Sequence, residues 1–280
     1  MTRAWPCLLG VLLVAQAAAE PPRIIIKARP VPAGENLVAN PSFEDGAGEW
    51  PDGWAFTVNQ PTKVVRFWAD EACTGERSAG VRSEAGNASG YWAQDVAVQA
   101  DTDYLLTARV QIEAGKVLLR AYGRNAGGEF LKSFDRRAYD QRRGTHIMAP
   151  VFWEPAWIID MVREPWAPVN LLLRTDPDVA TIQVHIGSYF EPGTMYIDDV
   201  YLGPATLTLD YVVEAEGIAC VRVYDRAGAL LVQHGRTQLP LVAGSLEGLP
   251  PDGRYRFEAT SQAGDVTEVW YPEPPEGVQP

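Results

Sequence analysis

Three stretches of the chain could bring planar polar side chains and rings onto one surface. Asp103–Ile112 alternates, with Leu106, Ala108, Val110 and Ile112 in one phase and Thr107, Arg109 and Gln111 in the other. Thr181–Ile186 alternates as cleanly and sets Gln183 and His185 opposite Ile182, Val184 and Ile186. Alternation sustained over about six residues marks a half-buried strand, because successive side chains point to opposite faces. With the apolar phase toward a core, the other phase shows Arg109, Gln111, Gln183 and His185; Arg120 and Tyr122 join it from Val117–Arg124. Guanidinium and amide groups bond sugar hydroxyls, and aromatic rings pack on sugar C–H faces, so the mixture suits a saccharide. The same pattern also fits an ordinary solvated sheet face.

Tryptophan is the second signal. Seven of the nine Trp fall between residues 50 and 166. Trp68, Trp92, Trp153 and Trp157 read as ligand platforms or, equally, as loop packing, since buried Trp is common in β-sandwiches. Signatures of catalysis are missing. His146, His185 and His234 are isolated, so no H-E-x-x-H metal site occurs. Glu76-Arg77-Ser78-Ala79-Gly80 lacks the first glycine of a nucleophile elbow. There is no Gly-rich phosphate loop, and Asn87-Ala88-Ser89 is a formal glycosylation sequon of the kind that arises by chance.

The elements that must position these residues are strands. From Asn36 onward, short β-like runs are split by Gly, Pro and Asp, and no amphipathic helix of ordinary length stands out. Runs follow at Met195–Leu202, Leu207–Val213, Ala219–Tyr224, Ala229–Val232, Arg254–Thr260 and Val266–Trp270. Arg226-Ala227-Gly228 and Gln262-Ala263-Gly264-Asp265 read as turns between paired runs. The expected class is all-β: a jelly-roll β-sandwich over 36–204, then a small Ig-like or fibronectin-like β-sandwich over 205–272, with Gly203-Pro204 as the boundary. Residues 20–35 carry Pro21, Pro22, Pro30 and Pro32 around Ile24-Ile25-Ile26 and read as a tether with one edge strand; 273–280 reads as a disordered tail.

The first nineteen residues have the layout of a secretory signal peptide. Met1–Arg3 is positive, Leu8–Val14 is apolar but too short to span a bilayer, and Ala17-Ala18-Ala19 offers a cleavage site before Glu20. The expected location is secreted, extracellular or periplasmic, without membrane insertion after cleavage. With 36 Asp+Glu against 24 Lys+Arg, the chain lacks the basic face that nucleic acid demands. Beyond the signal only Cys73 and Cys220 remain, far apart, and they read as two free buried thiols rather than a disulfide framework.

Residues 36–204 also resemble a known family. Asn36-Leu37-Val38-Ala39-Asn40-Pro41-Ser42-Phe43-Glu44-Asp45-Gly46 looks like the opening of carbohydrate-binding modules of families four and nine. Gly53-Trp54, Thr74–Val81, Gln94–Val98 with Tyr104-Leu105-Leu106, and the closing run Tyr196–Leu202 follow in the same order and spacing. The resemblance implies a galactose-binding-like jelly roll, a core position for Trp54, and a glycan-binding cleft on the polar sheet face. It also implies a structural calcium between the first and last strands, held by the Ser42 carbonyl, the Glu44 carboxylate, Thr74, the Arg77 carbonyl and Asp198. Such mixed oxygen donors suit calcium; alternatively Glu44 and Asp198 bond only backbone amides. Asn125–Pro168 departs from the family pattern and could open or cover the cleft. Gln183-Val184-His185 and Tyr189-Phe190 echo jelly-roll alginate lyases, with Arg109 as the fourth member of a nominal site, although here the two motifs nearly touch in sequence. The leading expectation is a non-catalytic polysaccharide-binding protein. The rival is a cell-surface structural or adhesion module whose second domain contacts a protein partner.

Overall fold

The computed structural model describes residues 20–48, 50–131, 165–215, 217–238 and 240–272. Residues 1–19, expected from sequence to be a signal peptide, His146, Trp153, Trp157 and the expected C-terminal tail lie outside the described residues. Those described are all-β, with no helix long and apolar enough to cross a membrane. In chain order the strands are β1 (Arg23–Pro32), β2 (Gly46–Ala47), β3 (Trp50–Pro51), β4 (Ala55–Val58), β5 (Val64–Ala69) and β6 (Ser78–Ser83). Next come β7 (Gly90–Ala97), β8 (Asp103–Ile112), β9 (Val117–Arg124), β10 (Ala167–Arg174), β11 (Thr181–Ser188) and β12 (Gly193–Glu214). The last are β13 (Ile218–Asp225), β14 (Leu230–His234), β15 (Leu241–Leu249), β16 (Tyr255–Ser261) and β17 (Val266–Tyr271).

The chain divides into two units. The larger takes Ile26–Tyr211, Gly244–Tyr255 and the described residues from Trp270. It is a jelly-roll β-sandwich. One sheet runs β10-β8-β12-β6-β5, with β1 and β15 also pairing with β12; the other runs β4-β7-β11-β9. The apolar phase of each sheet enters one shared core: Leu106, Ala108, Val110, Val81 and Ile197 from the first, Trp92, Ile182, Val184 and Ile186 from the second. Each large apolar side chain buried there contributes about 1.5–3 kcal/mol. Trp54 is buried in this core, as the resemblance implied.

The smaller unit takes Val212–Ala243 and Arg256–Val269 with the described residues up to Ile25. It carries the four-stranded sheet β14-β13-β16-β17. Both expected turns are present, with Gly228 and Gly264 at φ of 85° and 97°. Gly203-Pro204 does not interrupt the chain: β12 passes through it, with Pro204 opposite Tyr104 and its carbonyl accepting from Ala33 N–H. Proline removes only a donor, so a strand tolerates it where no ladder bond needs that N–H. Cys73 and Cys220 are free, but half-buried rather than buried.

Candidate functional site

The outer face of the four-stranded sheet collects the polar-aromatic residues. β11 lies between β7 and β9, and its register sets His185 beside Ala93 and Arg120, Gln183 beside Asp95 and Tyr122, and Gly187 beside Tyr91. Ile182, Val184 and Ile186 point to the core, which forces His185 and Gln183 outward. The same parity turns Trp92 and Val96 inward and Tyr91 and Asp95 outward.

The rings form a row. Tyr91 stacks on His185, with 5.7 Å between centroids. Tyr122 meets His185 edge-on at 5.2 Å and Phe130 edge-on at 5.5 Å. Two guanidinium groups lie over this row, Arg120 4.7 Å from the Tyr122 ring and Arg124 3.8 Å from the Phe130 ring. Polar groups fix the remaining side chains: Gln183 donates to Asp95 Oδ1 at 2.8 Å, and its Oε1 lies 3.1 Å from His185 Nε2. Burial and, next, the neighbouring Arg120 cation push the His185 imidazole down to about 4, against the opposing pull of Asp95. His185 is therefore neutral near pH 7, a ring that stacks without carrying charge. Burial pushes the Tyr91 phenol up, so it too stays neutral.

Four of the eight saccharide-site residues expected from sequence meet here: Arg120, Tyr122, Gln183 and His185. Arg109 and Gln111 do not. They project from β8, in the other sheet, and so face outward on the opposite side of the sandwich. There Gln111 bonds Glu71, and Arg109 reaches the Trp166 carbonyl at 3.5 Å. Alternation reveals a strand's two faces but not which sheet the strand joins. The nominal lyase quartet is divided for the same reason, with Arg109 on one sheet and Gln183 and His185 on the other. Trp92 is fully buried, donating to the Gly80 carbonyl at 3.2 Å, and is core rather than platform. Trp68 is half-buried on β5, away from this face. Tyr91, Asp95, Arg124 and Phe130 were missed, although the Tyr91/Trp92 alternation carried the signal for the first two.

The expected calcium residues converge at a clasp between the opening segment and β12. Asp198 Oδ2 accepts the Cys73 and Thr74 amides at 2.8 and 2.9 Å, and Oδ1 accepts the Asp199 amide at 2.7 Å. The Glu44 carboxylate accepts the Glu76 and Arg77 amides at 2.9–3.1 Å. Ser42 and Thr74 hydroxyls both donate to Asp199 Oδ1. Burial pushes the Asp198 carboxyl up to about 6, against the lowering effect of those amides. Among the described residues no three His, Cys, Asp or Glu side chains group as metal ligands. A calcium ion here would therefore draw on main-chain carbonyls and on the lone pairs the amides leave free, a donor chemistry that calcium accepts.

No family model matches the chain, and no curated protein matches it. Solved structures do show likeness. The enzymatically active domain of the Bacteriophage CBA120 tailspike protein 4 is 11% identical at a TM-score of 0.43, covering 60% of this chain and 21% of that one. TmCBM61 in complex with β-1,4-galactotriose is 18% identical at a TM-score of 0.36, covering 61% and 99%. The CBM22-1 xylan-binding domain of Paenibacillus barcinonensis Xyn10C is 15% identical at 0.39, covering 62% and 97%. Likeness this slight transfers no ligand, and the jelly roll rests on the strand pairing above.

Proposed function

We propose that the chain is a secreted, non-catalytic saccharide-binding protein, acting outside the cell or in a periplasm. The observation that supports this is the Tyr91–His185–Tyr122 row, flanked by Arg120 and Gln183 on one sheet face. Rings supply surface for sugar C–H faces, and guanidinium and amide groups supply hydroxyl partners at fixed spacing. Binding at equilibrium is the whole activity proposed. Calcium, held by Ser42, Glu44, Thr74, Arg77 and Asp198, is proposed as a structural ion that would neutralise the paired carboxylates. The Ig-like reading of the smaller unit is kept as part of the same proposal.

The test is retention of the purified chain on insoluble polysaccharides and a glycan array, with calcium and with chelator. Specific retention lost in Arg120→Ala/Tyr122→Ala supports the reading; no retention on any glycan sinks it. A second reading, a surface module with a protein partner, draws on β14. This edge strand exposes consecutive Leu230 and Leu231, at 50% and 40%. Glycan-independent retention on cells, lost in Leu230→Lys/Leu231→Lys, would favour it.

A further inference from the structure

A second feature lies at the β5 edge of the sandwich, apart from the Tyr91–His185 face. Trp50, Arg66, Phe67, Trp68 and Arg77 line an open groove of about 650 Å³, a size typical of small-ligand sites. Both indoles are fixed by their own N–H groups. Trp50 Nε1 donates to the Trp54 carbonyl at 2.6 Å, and Trp68 Nε1 donates to the Phe43 carbonyl at 2.7 Å. Trp50 also rests edge-on against buried Trp92, 5.5 Å between centroids. With their donors bonded to backbone, the rings bring apolar surface to the groove.

Each ring carries a cation. Arg66 Cζ lies 3.9 Å from the Trp50 centroid and Arg77 Cζ 5.0 Å from that of Trp68, both within cation–π reach. Arg77 is also paired with Asp70. Arg66 is exposed, and among the described residues it meets no carboxylate. An unpaired guanidinium is notable in a chain whose formal net charge is −12. Held over a ring with its N–H fork unspent, such a group is set to take a planar carboxylate through two parallel bonds.

We infer that this groove binds an acidic saccharide, a uronate whose carboxylate pairs with Arg66 while its pyranose packs on the fixed indole surface. A neutral sugar offers Arg66 hydroxyl oxygens but not the planar, charged two-oxygen acceptor that its N–H fork matches. An acidic peptide satisfies Arg66 but offers no flat C–H face to the tryptophans. The groove and the Tyr91–His185 face are separate, so neither reading depends on the other.

The experiment is isothermal titration of the purified chain with tetragalacturonate and an oligomannuronate, neutral galactotetraose and poly-glutamate serving as controls. The uronates are expected to bind, more weakly as salt is raised. Arg66→Gln is expected to lower that affinity about tenfold, and Arg66→Lys to restore it only in part, because an ammonium lacks the fork. Arg120→Ala/Tyr122→Ala tells the two sites apart, because a uronate held on the Tyr91–His185 face would be lost in that variant and kept in Arg66→Gln. Thermal melts identify variants that remain folded, and exposed Arg66 tolerates replacement. The inference is overturned if the uronates do not bind, if Arg66→Gln binds them as tightly as the parent, if only the Arg120/Tyr122 variant loses them, or if poly-glutamate binds as well.

Discussion

The Tyr91 ring lies 17° from parallel to the His185 imidazole, and this contact joins β7 to β11 on the outer face of the sheet. The register dictates it: Tyr91 stands opposite Gly187, and His185 opposite Ala93, so the two rings occupy a diagonal with small residues as their direct neighbours. Diagonal pairs lie within reach of aromatic side chains. The sheet register itself holds the two rings together, so a sugar would bear little ordering cost there.

Removing Tyr91 should therefore damage binding more than folding. Tyr91→Ala is expected to weaken saccharide affinity about tenfold, since a ring contact is worth about 0.5–1.5 kcal/mol beyond its buried area. Tyr91→Phe keeps the ring and should retain most of the affinity. Titration of each variant with the glycan retained in the pull-down, beside a thermal melt, separates the two effects.

His185 predicts a pH dependence of stability. An unperturbed imidazole titrates near 6.5, and the folded one near about 4. Between these values the unfolded chain takes up a proton that the folded chain refuses. The His185 contribution to stability is whole above pH 6.5 and falls as the pH drops toward 4. Asp198, whose carboxyl is raised to about 6, takes up a proton on folding within the same window and opposes this loss, so the comparison is between chains: from pH 7.5 through 5.5 to 4.5 the parent should lose stability relative to His185→Gln in thermal melts. An unchanged slope in that variant would remove His185 as the cause.

Much of the site was readable before the strands were placed, and the limits have a physical origin. Alternation set Gln183 and His185 against Ile182 and Val184 correctly, because a one-residue period error would have put polar amide and imidazole groups in the core. The same rule set Arg109 outward correctly on β8 and still misassigned its neighbours, since sheet membership depends on pairing between distant segments. β15 escaped notice for another reason: its sequence LVAGSLEGL buries only Leu246 and mixes two glycines into the run. Trp92 was ambiguous only while taken alone; sharing phase with Val96 decides it.

Trp92 makes the core placement quantitative. It contacts the rings of Phe43, Trp50 and Phe56 at 6.4, 5.5 and 5.2 Å. Trp92→Ala is expected to cost about 3–5 kcal/mol, the range for large-to-small changes at buried aromatic sites. Denaturant titration would measure it. A loss near zero with a large fall in glycan affinity would return Trp92 to the role of platform.

The clasp supplies the last prediction. Asp198 is fully buried and gives both carboxylate oxygens to N–H donors. Asp198→Asn turns one oxygen into an amide nitrogen, so a donor faces a donor wherever that group points. The expected cost is about 1–3 kcal/mol, that of a buried polar group left unmatched. Gly75→Ala attacks the same clasp from the other side. Its Cβ would lie 2.3 Å from Glu44 Oε1, at a φ of 67° that disfavours any side chain. Both variants should lower the melting temperature in chelator, where no cation contributes. Calcium is then the discriminating addition. If the ion belongs to the clasp, it raises the melting temperature of the parent chain and does so much less in Asp198→Asn, because one of its ligands has lost its charge. If calcium leaves the parent unmoved, the amide bonds alone close the clasp, and the ion has no place in it.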